Sequence, residues 1–121
     1  MSSLLEKGIE EFNRQYFFEA HDLWEELWVD TVGHKRLFYQ GLIQTAVGFY
    51  HLSNKNYKGA CSQFEKACHK LEEYSPVCEG IATSQLLASI QQCLGEARAL
   101  RSGDKVNFDN TLIPTIQQTI T

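Results

Sequence analysis

Six residues of this chain return in order forty positions later, and that repeat constrains the fold more than any other feature of the sequence. Gly8, Phe17, Ala20, Trp24, Glu25 and Leu27 recur as Gly48, Tyr57, Ala60, Phe64, Glu65 and Ala67. The order is small residue, aromatic, alanine, aromatic, acid, then a small or aliphatic residue. Such a pattern suits a helical hairpin in which alanine lets the two helices approach closely. Two similar antiparallel helix pairs packed together are therefore expected.

Punctuation along the chain divides it into five helices. Ser3 followed by Glu6 is a capping box that opens the first, which runs to about Arg14. The second spans about Phe17 to Thr31 and is stopped by Gly33, a residue suited to the left-handed turn after a helix. The third runs from about His34 to Leu52. The fourth covers about Tyr57 to Tyr74 and stops before Pro76, because the residue preceding proline avoids helical angles. A fifth runs from about Ser84 to Arg101 and ends at Gly103. The tail after it is rich in Thr, Asn and Gln, and its apolar Phe108, Leu112, Ile113 and Ile116 suit a segment laid along the bundle. The expected fold is all-α: a compact bundle of about five helices, built from two similar antiparallel hairpins, a closing helix and an irregular C-terminal tail. One domain is expected over residues 1–121, with the core at about 3–101 and the tail at 104–121.

Charge and composition exclude several classes. A net charge of −4 leaves no basic stripe to neutralise phosphates, which argues against a nucleic-acid module. The longest charge-free run, Leu37 to Asn54, carries Gln40, Gln44, His51, Gly41 and Gly48 and reads as a central bundle helix, not a membrane span. The N-terminus turns charged too soon for a signal peptide. Cys61, Cys68, Cys78 and Cys93 form no close pair, so free thiols and a cytoplasmic setting are expected.

Chemistry concentrates in Phe17 to Trp28, where a histidine, four acids and both tryptophans share twelve residues. At 100° per residue, Phe17, Ala20, Trp24, Leu27 and Trp28 form the buried face. His21 lies on that face with Glu25 one turn on at its edge, whereas Glu19, Asp22 and Glu26 point towards solvent. Partly desolvating an imidazole and a carboxylate costs free energy unless they are engaged. On the third helix, Gln40, Gln44 and His51 form one polar stripe. The short connection around Gly33 makes the second and third helices antiparallel neighbours. The stripe would then face either water or the His21/Glu25 edge across a shared pocket.

These residues resemble a known family. Ala20-His21-Asp22-Leu23-Trp24-Glu25-Glu26-Leu27-Trp28, Phe38-Tyr39-Gln40-Gly41-Leu42-Ile43-Gln44 and Asn56-Tyr57-Lys58-Gly59-Ala60 are similar to domain of unknown function 309, a small helical-bundle family of bacteria and archaea. The resemblance covers roughly residues 5 to 100. It implies a helical bundle and the family's label of predicted metal-dependent hydrolase. Family members often carry Glu where this chain has Asp22. The stretch Asn56 to Ala67 also resembles the second helix of a tetratricopeptide repeat, although the period of forty exceeds thirty-four and two copies are too few for a solenoid.

Two functional classes follow. One is a metal-dependent hydrolase of unknown substrate. His21 and Glu25 are its catalytic pair, and His21, Glu25 and His51 are the ligands of a divalent zinc, manganese or iron ion. Phe18, Asp22, Trp24, Trp28, Arg36, Tyr39, Gln40 and Gln44 would line its pocket. The other is a non-enzymatic ligand-binding or protein-interaction module built on tetratricopeptide-like helix pairs, with Phe18, Trp24, Trp28 and Tyr39 as its contact surface. The apolar third helix is a candidate homodimer surface. A third account needs no ligand: His21, Glu25 and Gln44 satisfy one another as a polar knot that sets helix register.

Overall fold

A computed structural model describes residues 3–119. Five helices follow in chain order: α1 (Leu4–Asn13), α2 (Phe17–Val29), α3 (Lys35–Ser53), α4 (Tyr57–Leu71) and α5 (Thr83–Ser102). Each packs on its successor, giving the all-α bundle of two hairpins and a closing helix. The described residues contain no strand, only isolated bridges joining Ile81 to Cys78 and to Gln118. No helix among them is long and apolar enough to cross a membrane.

The caps explain the boundaries. Ser3 accepts from the backbone N–H of Glu6 at 3.1 Å and its hydroxyl donates to Glu6 Oε1 at 3.3 Å, so Ser3 caps the start of α1. Asn56 does the same for α4, accepting from Gly59 N at 2.9 Å. Gly103, at φ 86°, ends α5 in the left-handed region. Two ends differ from the sequence expectation. Helix α2 stops at Val29, where Arg36 donates to the carbonyls of Trp28 and Thr31, both at 2.9 Å, and so satisfies the last turn. Helix α4 stops at Leu71, and Glu72–Tyr74 tighten into a 3-10 turn that seats the Tyr74 hydroxyl on the His34 carbonyl at 2.6 Å.

The repeat proves to be geometric. Gln15 and Lys55, forty apart, both take left-handed angles (φ 66° and 60°) in the hairpin turns. Tyr16 N donates to Glu11 O at 2.9 Å and Asn56 N to His51 O at 2.8 Å. A Cβ on Gly8 would fall inside the Trp24 indole, and one on Gly48 would fall within 2.5 Å of the Phe64 ring. Each hairpin thus closes by sinking an aromatic of its second helix onto a glycine of its first. Phe49 joins the two units, its ring centroid 5.3 Å from Phe17, 5.8 Å from Phe12 and 4.8 Å from Phe64.

The tail is anchored as expected of a segment laid along the bundle. It is irregular apart from a 3-10 turn at Asn110–Leu112, and Ile116 is buried. All four cysteines are free thiols.

Candidate functional site

Helices α2 and α3 border two neighbouring surface hollows, which together form a shallow trough. One end, of about 150 Å³, is lined by Phe18, His21, Val47, Tyr50 and His51 and is almost wholly apolar apart from the histidines. The other, of similar size, is lined by Glu25, Trp28, Gln40, Ile43 and Gln44. Hence the polar stripe of α3 does face the His21/Glu25 edge of α2. Each end has room for roughly five waters, at about 30 Å³ apiece, so only a small group fits.

His21 lines the apolar end, and its partner Glu25 lines the other. His21 Nε2 is 2.9 Å from Glu25 Oε2, and His21 Nδ1 is 3.2 Å from Asp22 Oδ1. Nδ1 is itself shielded from solvent and has no hydrogen-bond partner of acceptable geometry. The imidazole is mostly buried, whereas Asp22 and Glu25 are half exposed. One nitrogen and two carboxylate oxygens therefore converge, with donor atoms of the three residues all within 4.8 Å of one another. Asp22 also borders an open hollow on the far side of α2 with Glu10, Glu11, Glu19 and a single cation, Lys7, so acids outnumber bases there and bias the local potential towards cations.

The remaining residues expected at the site divide. His51 lines the apolar end but lies outside the converging trio; its Nδ1 sits 3.3 Å from Asn56 Nδ2. Gln44 Oε1 accepts from Lys70 Nζ at 3.0 Å, tying the trough to α4. Burial, and then the neighbouring Lys66, lower the pKa of Lys70. Trp28 lines the polar end, but its Nε1 is buried without a partner, and the Arg36 guanidinium stacks 4.0 Å from the ring centroid. Arg36 thus caps α2 and stacks on Trp28.

Trp24 and Tyr39, like Asp22 and Arg36, line neither end of the trough. Trp24 is fully buried against Gly8 and donates to Leu5 O at 3.2 Å, because the hairpin needs its ring as a core plug. Tyr39 packs on Phe38 in the first turns of α3, beside the Lys35–Glu79 pair. Burial first, then Glu79, push its phenol above the ordinary value. Ile43, Val47 and Tyr50 are the wall residues that the sequence reading passed over. Repeated steps of three or four positions from Gln40 and Gln44 along the same helical stripe reach all three.

The family model described as domain of unknown function (DUF309) matches residues 5–62, so that stretch of the chain is similar to this family. The match spans both walls of the trough and every one of His21, Asp22, Glu25, Gln40, Gln44 and His51. No curated protein and no solved structure is similar enough to this chain to match it.

Proposed function

We propose, taking residues 5–62 as a domain of this family, that the α2–α3 trough binds a divalent cation beside His21 and hydrolyses a small substrate held against Phe18, Val47 and Tyr50. The observation that carries this reading is the spacing of the shielded, partnerless His21 Nδ1 and Asp22 Oδ1, 3.2 Å apart. Two ligands of one first-row ion, each at roughly 2.1 Å, stand about 3.0–3.4 Å apart in octahedral or tetrahedral coordination. Glu25 engages the opposite ring nitrogen, as an outer carboxylate does when it orients a ligating histidine. The donor set therefore fits zinc, manganese or iron(II), with protein ligands few enough to leave open positions.

Bound there, the ion would act as a Lewis acid and lower the pKa of a coordinated water. The chain's own residues do the rest. Glu25 holds the imidazole in one orientation, Phe18 and Tyr50 cover the apolar end, and the Gln40 and Gln44 amides offer hydrogen bonds to a polar substrate group at the other. Lys70, made less basic by burial, sits at that polar end and holds Gln44 in place.

Metal content and titration test this. Parent protein and a His21→Ala/Glu25→Ala variant are purified without chelator, then titrated with zinc, manganese and iron(II). The expected result is near-stoichiometric binding in the parent that is lost in a still-folded variant. A parent with no titratable site, and a variant that merely melts earlier, would reduce the trio to a structural knot.

One observation favours a second reading. The half-exposed ring of Phe18 and the exposed ring of Tyr50 lie 5.5 Å apart beside the apolar end, a patch suited to an apolar ligand or a protein partner. A metal-free protein that nonetheless takes up an apolar fluorophore there, competitively with Phe18→Ala, would favour the binding module.

A further inference from the structure

Two of the chain's lysines are half-buried, Lys70 of α4 and Lys105 of the tail. Lys105 pairs with the Glu96 carboxylate. Lys70 has no carboxylate partner among the described residues, and its Nζ donates to the neutral Gln44 Oε1 at 3.0 Å. The charge that does act on it is a second cation, Lys66, one turn back on the same helix. Drawing an ammonium partly out of water without a counter-charge costs free energy, and a neighbouring cation adds to that cost. An anion at this point would offset both.

Gln44 connects this cation to the trough. Its side-chain oxygen is taken by Lys70, so the amide NH₂ is the part left for a ligand. The Gln40 amide, one turn back on α3, lines the same end. The carboxylate there, Glu25, is already engaged by His21 Nε2 at 2.9 Å. What the polar end has left to offer is chiefly donors, whereas Phe18, Val47 and Tyr50 wall the other end with apolar surface. From Gln44 to Tyr50 is six residues of helix, about 9 Å along the axis, a span that an alkyl chain of roughly eight carbons covers.

We propose that the polar end of the trough is an oxyanion subsite, and that the trough's ligand is an amphipathic acid. Its carboxylate or phosphate group lies against Lys70 and the Gln44 amide, and its apolar chain or ring lies on Phe18, Val47 and Tyr50. The anion supplies the counter-charge that Lys70 lacks through a charge-assisted hydrogen bond, and Lys66 adds attraction at longer range. This names the substrate class of the proposed hydrolase; it rests on that reading for the reaction and not for the binding.

The test is calorimetric and uses the full chain, treated with chelator so that no metal ion can serve as the anion's partner. Octanoate, octyl phosphate and octanamide are the probes. Either anion is expected to bind at least tenfold more tightly than the amide, and the tighter of the two identifies the head group. Lys70→Met keeps the aliphatic stem and removes the charge, so it should erase that preference and leave octanamide binding unchanged. Lys70→Arg should retain the preference, and Tyr50→Ala should weaken all three probes. Should Lys70→Met fail to fold, Lys70→Gln, which can still bond Gln44, replaces it. Equal affinity for anion and amide, no binding of either anion, or a preference that survives loss of the Lys70 charge overturns the proposal. The zinc titration stands apart: anion preference in a protein with no metal site supports the subsite and removes the hydrolase, whereas a metal site without anion preference keeps the hydrolase and ends the subsite.

Discussion

The two hairpins share a frame and part company on its surface. In both, a glycine receives an aromatic sixteen residues later, and in both the turn residue is left-handed. Yet forty residues on from His21, Asp22 and Trp28 stand Cys61, Ser62 and Cys68. Cys61 is 2% exposed, close enough to Arg98 and Arg101 of α5 for their charges to act on its thiol. Glu65, the counterpart of Glu25, pairs with Arg98 at 3.1 Å. The second hairpin folds with no imidazole at that position, so the frame does not require one. The His21–Asp22–Glu25 trio is an addition to the first hairpin, placed where α3 leaves a trough open.

Adding a methyl group at the shared contact breaks both hairpins at once and should give the largest effect. Gly8→Ala and Gly48→Ala each gain up to about 1 kcal/mol of helix propensity. Each also drives an aromatic ring out of a packed core, an overpacking cost of typically 1–3 kcal/mol and more where the plug is fully buried. Urea unfolding should show a net loss of about 1–2 kcal/mol at each position, larger at Gly8, where the indole also carries the hydrogen bond to Leu5 O. Equal stability of either variant with the parent would mean that the repeat is coincidental.

That shared frame is what the sequence displays most clearly. Glycine, alanine and aromatic spacings report helix–helix contact directly, and caps such as Ser3 and Asn56 act within four residues, so helix number, order and pairing are legible. What stays hidden depends on contacts between distant parts of the chain. The fate of Arg36 is set by the unsatisfied carbonyls at the end of α2. That of Asn13 is set by a tail residue 103 positions away. Tyr39 and Trp24 show the same limit. Aromatics near a polar stripe look like pocket walls until the helix rotation is known, and here one faces the 78–81 loop side and the other plugs the core. His21 and Glu25 are legible as a pair because they lie one turn apart on a single helix, whereas Asp22, which the helical wheel sends towards solvent, joins them in place of the expected His51.

Transplanting the second hairpin's residues into the first sharpens the comparison. His21→Cys/Asp22→Ser copies a pair that the same backbone already accommodates, so stability should change by no more than about 1 kcal/mol in either direction. Cation affinity, by contrast, should fall by at least tenfold when zinc or manganese is titrated into the two proteins. A large loss of stability with no change in cation binding would show that the trio holds the hairpin together and nothing more.

Alkaline titration probes the sealed side. Burial first, then Glu72, push the Cys68 thiol up to about 11, and burial followed by Glu96 pushes Cys93 to about 12. With folded values above the ordinary 9.0, the unfolded chain gives up these protons first. The stabilising effect is therefore complete below pH 9 and is lost as pH rises through about 11 and then 12. Unfolding curves from pH 8 to 11 should show the decline, and Cys68→Ala should flatten its first part. The thiols should stay unreactive towards alkylating reagents until the protein unfolds.

The smallest effect separates the two equivalent glutamates. Glu65 and Arg98 are both more than half exposed, so the pair contributes about 0–1 kcal/mol and is screened by salt. Glu65→Gln should lower stability by a few tenths of a kcal/mol, an amount that vanishes in molar salt. Glu25→Gln should cost as little, since that carboxylate too is half exposed. Its amide can still accept from the imidazole, but it no longer brings negative charge to the ring nitrogen facing away from Asp22. Cation binding should then weaken at Glu25→Gln and stay unchanged at Glu65→Gln. If the two substitutions prove indistinguishable in a zinc titration, Glu25 is only the first hairpin's version of a surface ion pair, and the difference between the hairpins carries no chemistry.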